Sequence, residues 1–132
     1  LPMIVHSREA AKDTLDMVIA AKPLNLSGII HCYSYSVEIA REYLNMGYYL
    51  GIGGVLTFKN AKKLKEVAEY TPLSQIVLET DCPYLAPVPF RAKRNDSSKL
   101  SYVVEELAAI KQIPVEEVIH ITNENGRRLY NI

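Results

Sequence analysis

The chain contains three short apolar runs, each of which ends in an ionisable residue. They are Pro2-Met3-Ile4-Val5-His6, Gly28-Ile29-Ile30-His31 and Ile76-Val77-Leu78-Glu79-Thr80-Asp81. Each run has the length and β-branched composition of a buried parallel strand, and a helical pattern follows it. Parallel β/α folds place the carboxyl ends of their strands on one face, where the chemistry takes place. The pattern therefore predicts that His6, His31 and Asp81 lie together on that face.

The predicted elements alternate between strand and helix four times. Strands are predicted over residues 2–6, 28–31, 48–52 and 75–80, and helices over residues 9–21, 36–46, 60–70, 100–108 and, as one or two helices, 115–130. Ser7 and Ser36 are the predicted N-caps of the first two helices, and Gly47 is the predicted C-cap of the second. The segment from Cys82 to Asn95 is expected to be irregular.

This alternation predicts an α/β fold with parallel strands and right-handed crossovers. Residues 1–132 fit a single domain, and four βα units plus terminal helices are half of a (β/α)₈ TIM barrel, which needs about 250 residues. An open four-stranded sheet is the alternative. The barrel is favoured because its strand ends converge on one axis. The chain opens at Leu1-Pro2 already inside a strand, so we expect it to be a fragment of a longer protein.

Composition limits the classes of function. The 15 basic and 15 acidic residues cancel, which argues against coating nucleic acid by bulk charge but leaves room for a local basic patch. The apolar stretches are too short to span a bilayer, and no signal-peptide pattern opens the chain. Cys32 and Cys82 form no CxxC pair, and we expect both to point into the helix layer as buried thiols of a reducing cytosol. We therefore expect a cytoplasmic protein with no membrane partner.

The three rim residues have the chemistry of metal ligands. Two imidazoles and a carboxylate from three strands suit a divalent metal ion. Asp81 has an alternative role as a cap of the following turn, because Asp-Cys-Pro is favourable turn chemistry. Glu79 shares the face of Asp81 but lies one layer deeper, which favours a buried ion pair or a hydrogen bond to a ligand over direct ligation.

Several motifs of the chain resemble one family. The segments are His6-Ser7-Arg8, Gly28 to Ser34, Gly53-Gly54-Val55-Leu56-Thr57-Phe58-Lys59-Asn60, Leu78 to Leu85, Arg91-Ala92-Lys93-Arg94-Asn95 and Thr122-Asn123-Glu124-Asn125. They resemble the TatD family of metal-dependent deoxyribonucleases, which belongs to the amidohydrolase-like TIM-barrel superfamily. The resemblance covers essentially the whole chain but only the C-terminal half of such a protein, from barrel strand five to strand eight.

The resemblance implies a hydrolase that cleaves DNA phosphodiester bonds with metal-activated water. It makes His6 and His31 ligands of one metal, and Asp81 a ligand of a second metal and the base that orients water. A complete site would hold two divalent ions, with Zn²⁺, Mn²⁺ and Mg²⁺ not distinguished. The family's His-x-His pair and bridging Glu lie outside this chain, so the chain alone should bind metal weakly. A metallohydrolase of another ester or amide and an inert assembly unit remain alternatives.

Substrate and partners are expected from the same resemblance. Arg91, Lys93 and Arg94 follow the Asp81 strand and would grip phosphates, the alternative being a solvated basic loop. Tyr35 stands where the family commonly has Gly and would narrow the mouth of the pocket. The expected substrate is DNA, with single strands or frayed ends favoured. The expected protein partner is the missing N-terminal half or a second copy of the chain.

Overall fold

A computed structural model describes all residues 1–132, in which four parallel strands form one sheet in chain order. The strands are β1 (Met3–His6), β2 (Gly28–His31), β3 (Tyr49–Ile52) and β4 (Ile76–Leu78). The helices are α1 (Ala11–Ala20), α2 (Val37–Asn45), α3 (Lys62–Tyr70), α4 (Leu100–Lys111) and α5 (Val115–Tyr130). The predicted α/β architecture of four βα units plus terminal helices is therefore confirmed. Residues 115–130 form one helix.

The two faces of the sheet differ in what covers them. Ile30, Leu50 and Ile76 point to the helices and belong to the main hydrophobic core. The opposite face, here called the inner face, carries Ile4, Ile29, Tyr49 and Val77, and the period-two alternation of a strand brings His6 and His31 onto it. Both candidate ligands therefore lie on the face that a barrel would enclose.

The sheet has two open edges, because β1 and β4 each pair with only one neighbour. Half of a barrel is expected to expose the side chains that the complete barrel would enclose, and the structure departs from this expectation in part. Ile29, Tyr49 and Val77 are buried, with Leu129 of α5 packed against them. Ile4 on the β1 edge remains 60% exposed. The end of α5 thus covers the β2–β4 side of the inner face and leaves the β1 side open.

Local capping agrees with the sequence at one of the two predicted N-caps. The Ser36 hydroxyl accepts a hydrogen bond from the Ile39 N–H, and Gly47 follows α2 with a φ of 85°. Ser7 does not cap α1, which begins later than predicted, at Ala11. Its hydroxyl instead bonds to Tyr35 and Thr14, because Ser7 still lies in the loop that leaves β1. None of the helices combines the length and hydropathy needed to cross a bilayer.

Candidate metal centre

The carboxyl ends of the strands, here called the carboxyl rim, bring the three predicted ligands together. His6 and His31 are paired in register on β1 and β2, and their ring centroids lie 5.7 Å apart. Asp81 follows β4, and its Oδ1 lies 3.2 Å from His31 Nε2. The sequence prediction that these side chains meet at one rim therefore agrees with their placement.

Glu79 lies deeper than Asp81 and is bonded to the other nitrogen of the His31 ring. Its Oε2 is hydrogen-bonded to His31 Nδ1, and its Oε1 accepts the Cys32 backbone N–H. Burial raises the pKa of the Glu79 carboxyl, while His31 and the Cys32 N–H act in the opposite direction. Glu79 thus occupies the position predicted for a side chain that bonds to a ligand.

Two residues at the carboxyl rim have left-handed backbone conformations. Cys32 has a φ of 49° and Asp81 a φ of 52°, in a region that non-glycine residues seldom occupy and that Asp tolerates better than most. Cys32 is half-buried and is among the residues that line the cavity at the rim. Burial raises the pKa of the Cys32 thiol to about 12. Cys82 is exposed, so the prediction of two buried cysteines in the helix layer is wrong, although both are free thiols.

The loop after Asp81 is fixed by a buried amide that the sequence analysis did not single out. The Asn95 Nδ2 donates to the carbonyl oxygens of Thr80 and Tyr84, at 2.7 and 2.8 Å. These carbonyls lie on either side of Asp81, so Asn95 closes the loop that carries the carboxylate. The only sequence signal was its place at the end of the Arg91–Asn95 motif.

A cavity of about 420 Å³ opens at the carboxyl rim. His6, Asp81, Arg8 and Tyr84 are among the residues that line it. Arg8 was not among the predicted site residues. Tyr84 is 71% exposed, and Arg8 brings a cation to the same opening. The cavity therefore combines possible metal ligands with groups suited to an anionic substrate.

The predicted basic residues line a neighbouring cavity of about 510 Å³. Arg91, Lys93 and Arg94 are exposed on its wall, and Tyr84 and Leu85 border both cavities. The Arg91 guanidinium carbon lies 4.1 Å from the centroid of the Phe58 ring. This cation–π contact orients the Arg91 side chain. The two cavities meet at Tyr84 and Leu85.

Tyr35 lies beside the site rather than in the cavity wall. Its hydroxyl is bonded to the Ser7 hydroxyl at 2.7 Å, and its ring packs edge-to-face against Tyr33 at 5.9 Å. Tyr35 therefore ties the loop after β1 to the loop after β2. Its predicted role in substrate binding stays a prediction.

The donor atoms fit a divalent ion in kind, since imidazole and carboxylate ligands suit Zn²⁺, Mn²⁺ and, with more water, Mg²⁺. They do not complete a site by themselves, because no group of three or more His, Cys, Asp and Glu side chains in the chain is arranged to hold a metal ion. The structure thus presents two imidazoles and one carboxylate as part of a ligand set.

Comparison with known proteins places this arrangement in context. A family model described as "TatD related DNase" matches residues 1–131. The chain is 46% identical over 132 residues to the uncharacterized metal-dependent hydrolase YabD of Bacillus subtilis, and it covers 52% of that protein. It is 40% identical over 131 residues to the uncharacterized metal-dependent hydrolase YcfH of Escherichia coli K12, of which it covers 49%. The chain therefore spans about half the length of the curated relatives it matches.

Solved structures show the same relation. The crystal structure of YjjV, a TatD homolog from Escherichia coli K12, superposes with a TM-score of 0.91 at 26% identity, over all of this chain and 51% of that one. A TatD family hydrolase from Entamoeba histolytica matches with a TM-score of 0.85 at 21% identity, over 98% of this chain and 50% of that one, which supports the fold alone.

Proposed function

Because the chain belongs to the TatD related DNase family, we propose that it is the C-terminal half of a metal-dependent hydrolase that cleaves DNA phosphodiester bonds. The observation that carries the proposal is the cluster of His6, His31 and Asp81 on the carboxyl rim of a parallel sheet. That rim is where β/α barrels place their catalytic groups. The names of the matched relatives, uncharacterized metal-dependent hydrolases, support the hydrolase class.

In this proposal His6 and His31 hold one divalent ion through their imidazole nitrogens, and Asp81 contributes a carboxylate oxygen to a second. When bound, such ions would lower the pKa of water and neutralise charge on the phosphate oxygens. The Asp81 carboxylate would accept a proton from the attacking water at its free oxygen. Glu79 is too deep to reach the substrate, because its two oxygens face His31 and Cys32.

The proposed DNA path runs over both cavities. Arg91, Lys93 and Arg94 would bind phosphate oxygens, and Tyr84 stands at the junction with the cavity that contains Asp81. Aromatic rings stack on unpaired bases, so single strands and frayed ends are the favoured substrates. Tyr35 would act only indirectly, by fixing the loops beside the cavity.

The test is a nuclease assay on the complete gene product. We expect cleavage of a single-stranded oligonucleotide in the presence of Zn²⁺, Mn²⁺ or Mg²⁺, and loss of cleavage with a chelator. Efficient turnover of a small ester or amide with DNA untouched would instead support the alternative metallohydrolase. The isolated chain is expected to cleave little, since its ligand set is incomplete. Metal-stimulated cleavage by the isolated chain would contradict that expectation. It would also contradict the alternative that the chain is an inert assembly unit.

We further propose that the exposed part of the inner face and the sheet edges bind a second half-barrel. The edges of β1 and β4 leave backbone N–H and C=O groups free for pairing, and Ile4 is exposed beside one of them. The partner is the N-terminal half or, when the chain is studied alone, a second copy. The partial cover by α5 leaves the β1 edge as the more open of the two.

We predict that the pure chain self-associates at micromolar concentration. An Ile4→Lys variant should shift the species towards monomer, because a charge on an edge strand opposes pairing. Met17→Lys is the matched control, since Met17 is exposed on α1 and does not belong to the sheet. Sedimentation velocity measures the result. A monodisperse, cooperatively folded wild-type monomer would contradict the proposal.

A further inference from the structure

Glu79 and His31 are bonded although a whole strand lies between them. His31 ends β2 and Glu79 follows β4, while β3 separates the two in the sheet. The Glu79 side chain nevertheless crosses β3 and bonds to both His31 Nδ1 and the Cys32 N–H. Both carboxylate oxygens of Glu79 therefore form hydrogen bonds on the far side of β3.

Gly51 makes this crossing possible. Ile30 pairs with Leu50 and Gly51 pairs with Val77, so Gly51 lies on the inner face between the His31 and Glu79 strands. A Cβ at residue 51 would lie 2.6 Å from Glu79 Oε1 and 2.9 Å from Glu79 Cδ. Real side chains do not tolerate such separations, so any other residue would displace the carboxylate. A glycine inside a strand is otherwise unfavourable, which indicates that this close approach explains its presence.

The bond determines which nitrogen of His31 is free. A carboxylate at Nδ1 favours the tautomer that carries its proton there, which leaves the Nε2 lone pair available. Nε2 faces the carboxyl rim, where Asp81 Oδ1 lies 3.2 Å away. Side-chain exposure is 17% for Glu79 and 36% for Asp81, so the bond on the Glu79 side is the better shielded from water.

We propose that Glu79 is a positioning residue that reaches over Gly51 to hold His31 in the Nδ1–H tautomer, with Nε2 presented to a metal ion. The proposal rests on the proposed metal-dependent function. In this proposal Gly51 of β3 and Glu79 after β4 act together to orient the His31 ring. Ligating histidines are commonly oriented in this way, and loss of such a partner costs 10–100-fold in metal affinity.

The first test is the tautomer of His31 in the metal-free chain, read from long-range ¹⁵N–¹H NMR spectra at a pH where the imidazole is neutral. We expect the wild-type ring to carry its proton on Nδ1. Glu79→Gln should reduce that preference because an amide oxygen is a weaker acceptor than a carboxylate. Gly51→Ala should reduce it because the added Cβ displaces the Glu79 carboxylate. The His6 signals should stay unchanged in both variants. A wild-type His31 that is protonated on Nε2 would overturn the proposal without any variant being needed.

Matched controls separate positioning from general damage. Glu106→Gln removes a carboxylate that pairs with Lys65 away from the site, and Gly126→Ala adds a Cβ that meets nothing within 4 Å. Neither control should change the His31 tautomer. If Glu79→Gln does not fold, Gly51→Ala still tests the proposal, because it alters no polar group.

The second test is the affinity of the complete gene product for Zn²⁺ and Mn²⁺, measured by competition with a chromophoric chelator. Glu79→Gln and Gly51→Ala should bind about 10–100-fold more weakly than the wild type. Variants that keep both the wild-type tautomer and the wild-type affinity would show that Glu79 is only structural. A third outcome is that the wild type carries the Nδ1–H tautomer, the variants lose it, and the wild type binds no metal. That result would support the positioning of His31 and contradict the proposed metal-dependent function.

Discussion

Replacing Asp81 with asparagine is expected to lower DNA cleavage by the complete gene product by about 10²–10⁴-fold, the usual contribution of a proton-transfer group. The carboxylate lies on the carboxyl rim, 3.2 Å from His31 Nε2, and lines the same cavity as His6. Asparagine is the informative substitution because residue 81 has a φ of 52°, which Asn tolerates as Asp does. The backbone should therefore stay in place while the group that accepts a proton is lost.

The measurement is the initial rate on a single-stranded oligonucleotide at saturating metal. Asp16→Asn is the matched control, because Asp16 forms an exposed surface pair with Lys12 on α1 and should not affect the rate. The unfolding midpoint of Asp81→Asn should remain close to that of the wild type. A rate within threefold of the wild-type rate would exclude Asp81 as the base.

The second large effect concerns stability. Asn125 on α5 is fully buried, and its Nδ2 donates to the carbonyl oxygens of Leu73 and Ile76, at 2.7 and 2.8 Å. Asn125→Ala would remove the side-chain donor of the buried Ile76 carbonyl, while the Leu73 carbonyl would keep the Ile76 N–H as a donor, so the free energy of unfolding should fall by about 1–3 kcal/mol. Domains of this size are stable by only about 5–15 kcal/mol, so the loss would be a large fraction of the total.

Urea denaturation of the wild-type chain and the variant measures this difference. Asn123→Ala is the matched control, because Asn123 is exposed on the same helix and should change the free energy of unfolding by less than about 0.5 kcal/mol. Equal midpoints for the two variants would show that the bonds between α5 and the start of β4 contribute little.

Asn125 and Asn95 also explain parts of the family motifs that carry no obvious chemistry. Each is a buried amide whose Nδ2 donates to two backbone carbonyls. Asn95 closes the loop around Asp81, and Asn125 anchors α5 at β4. The motifs thus combine candidate ligands with the residues that hold them in position.

The sequence by itself determined the positions of the strands and helices and the meeting of His6, His31 and Asp81 at one rim. These features follow from short-range patterns, since a buried strand alternates with a period of two and parallel strands share one carboxyl end. The Ser36 cap and the Gly47 turn are local in the same way. The family motifs then identified which parallel fold the pattern belonged to.

Only the tertiary structure decided how the side chains around the rim are used. Ser7 bonds to Tyr35 rather than capping α1, and Cys32 lines the cavity from a left-handed position after β2. The bond between Glu79 and His31 joins residues 48 positions apart. It depends on the register of β2, β3 and β4 and on the absence of a side chain at Gly51, and such through-space relations leave no periodic signal in the chain.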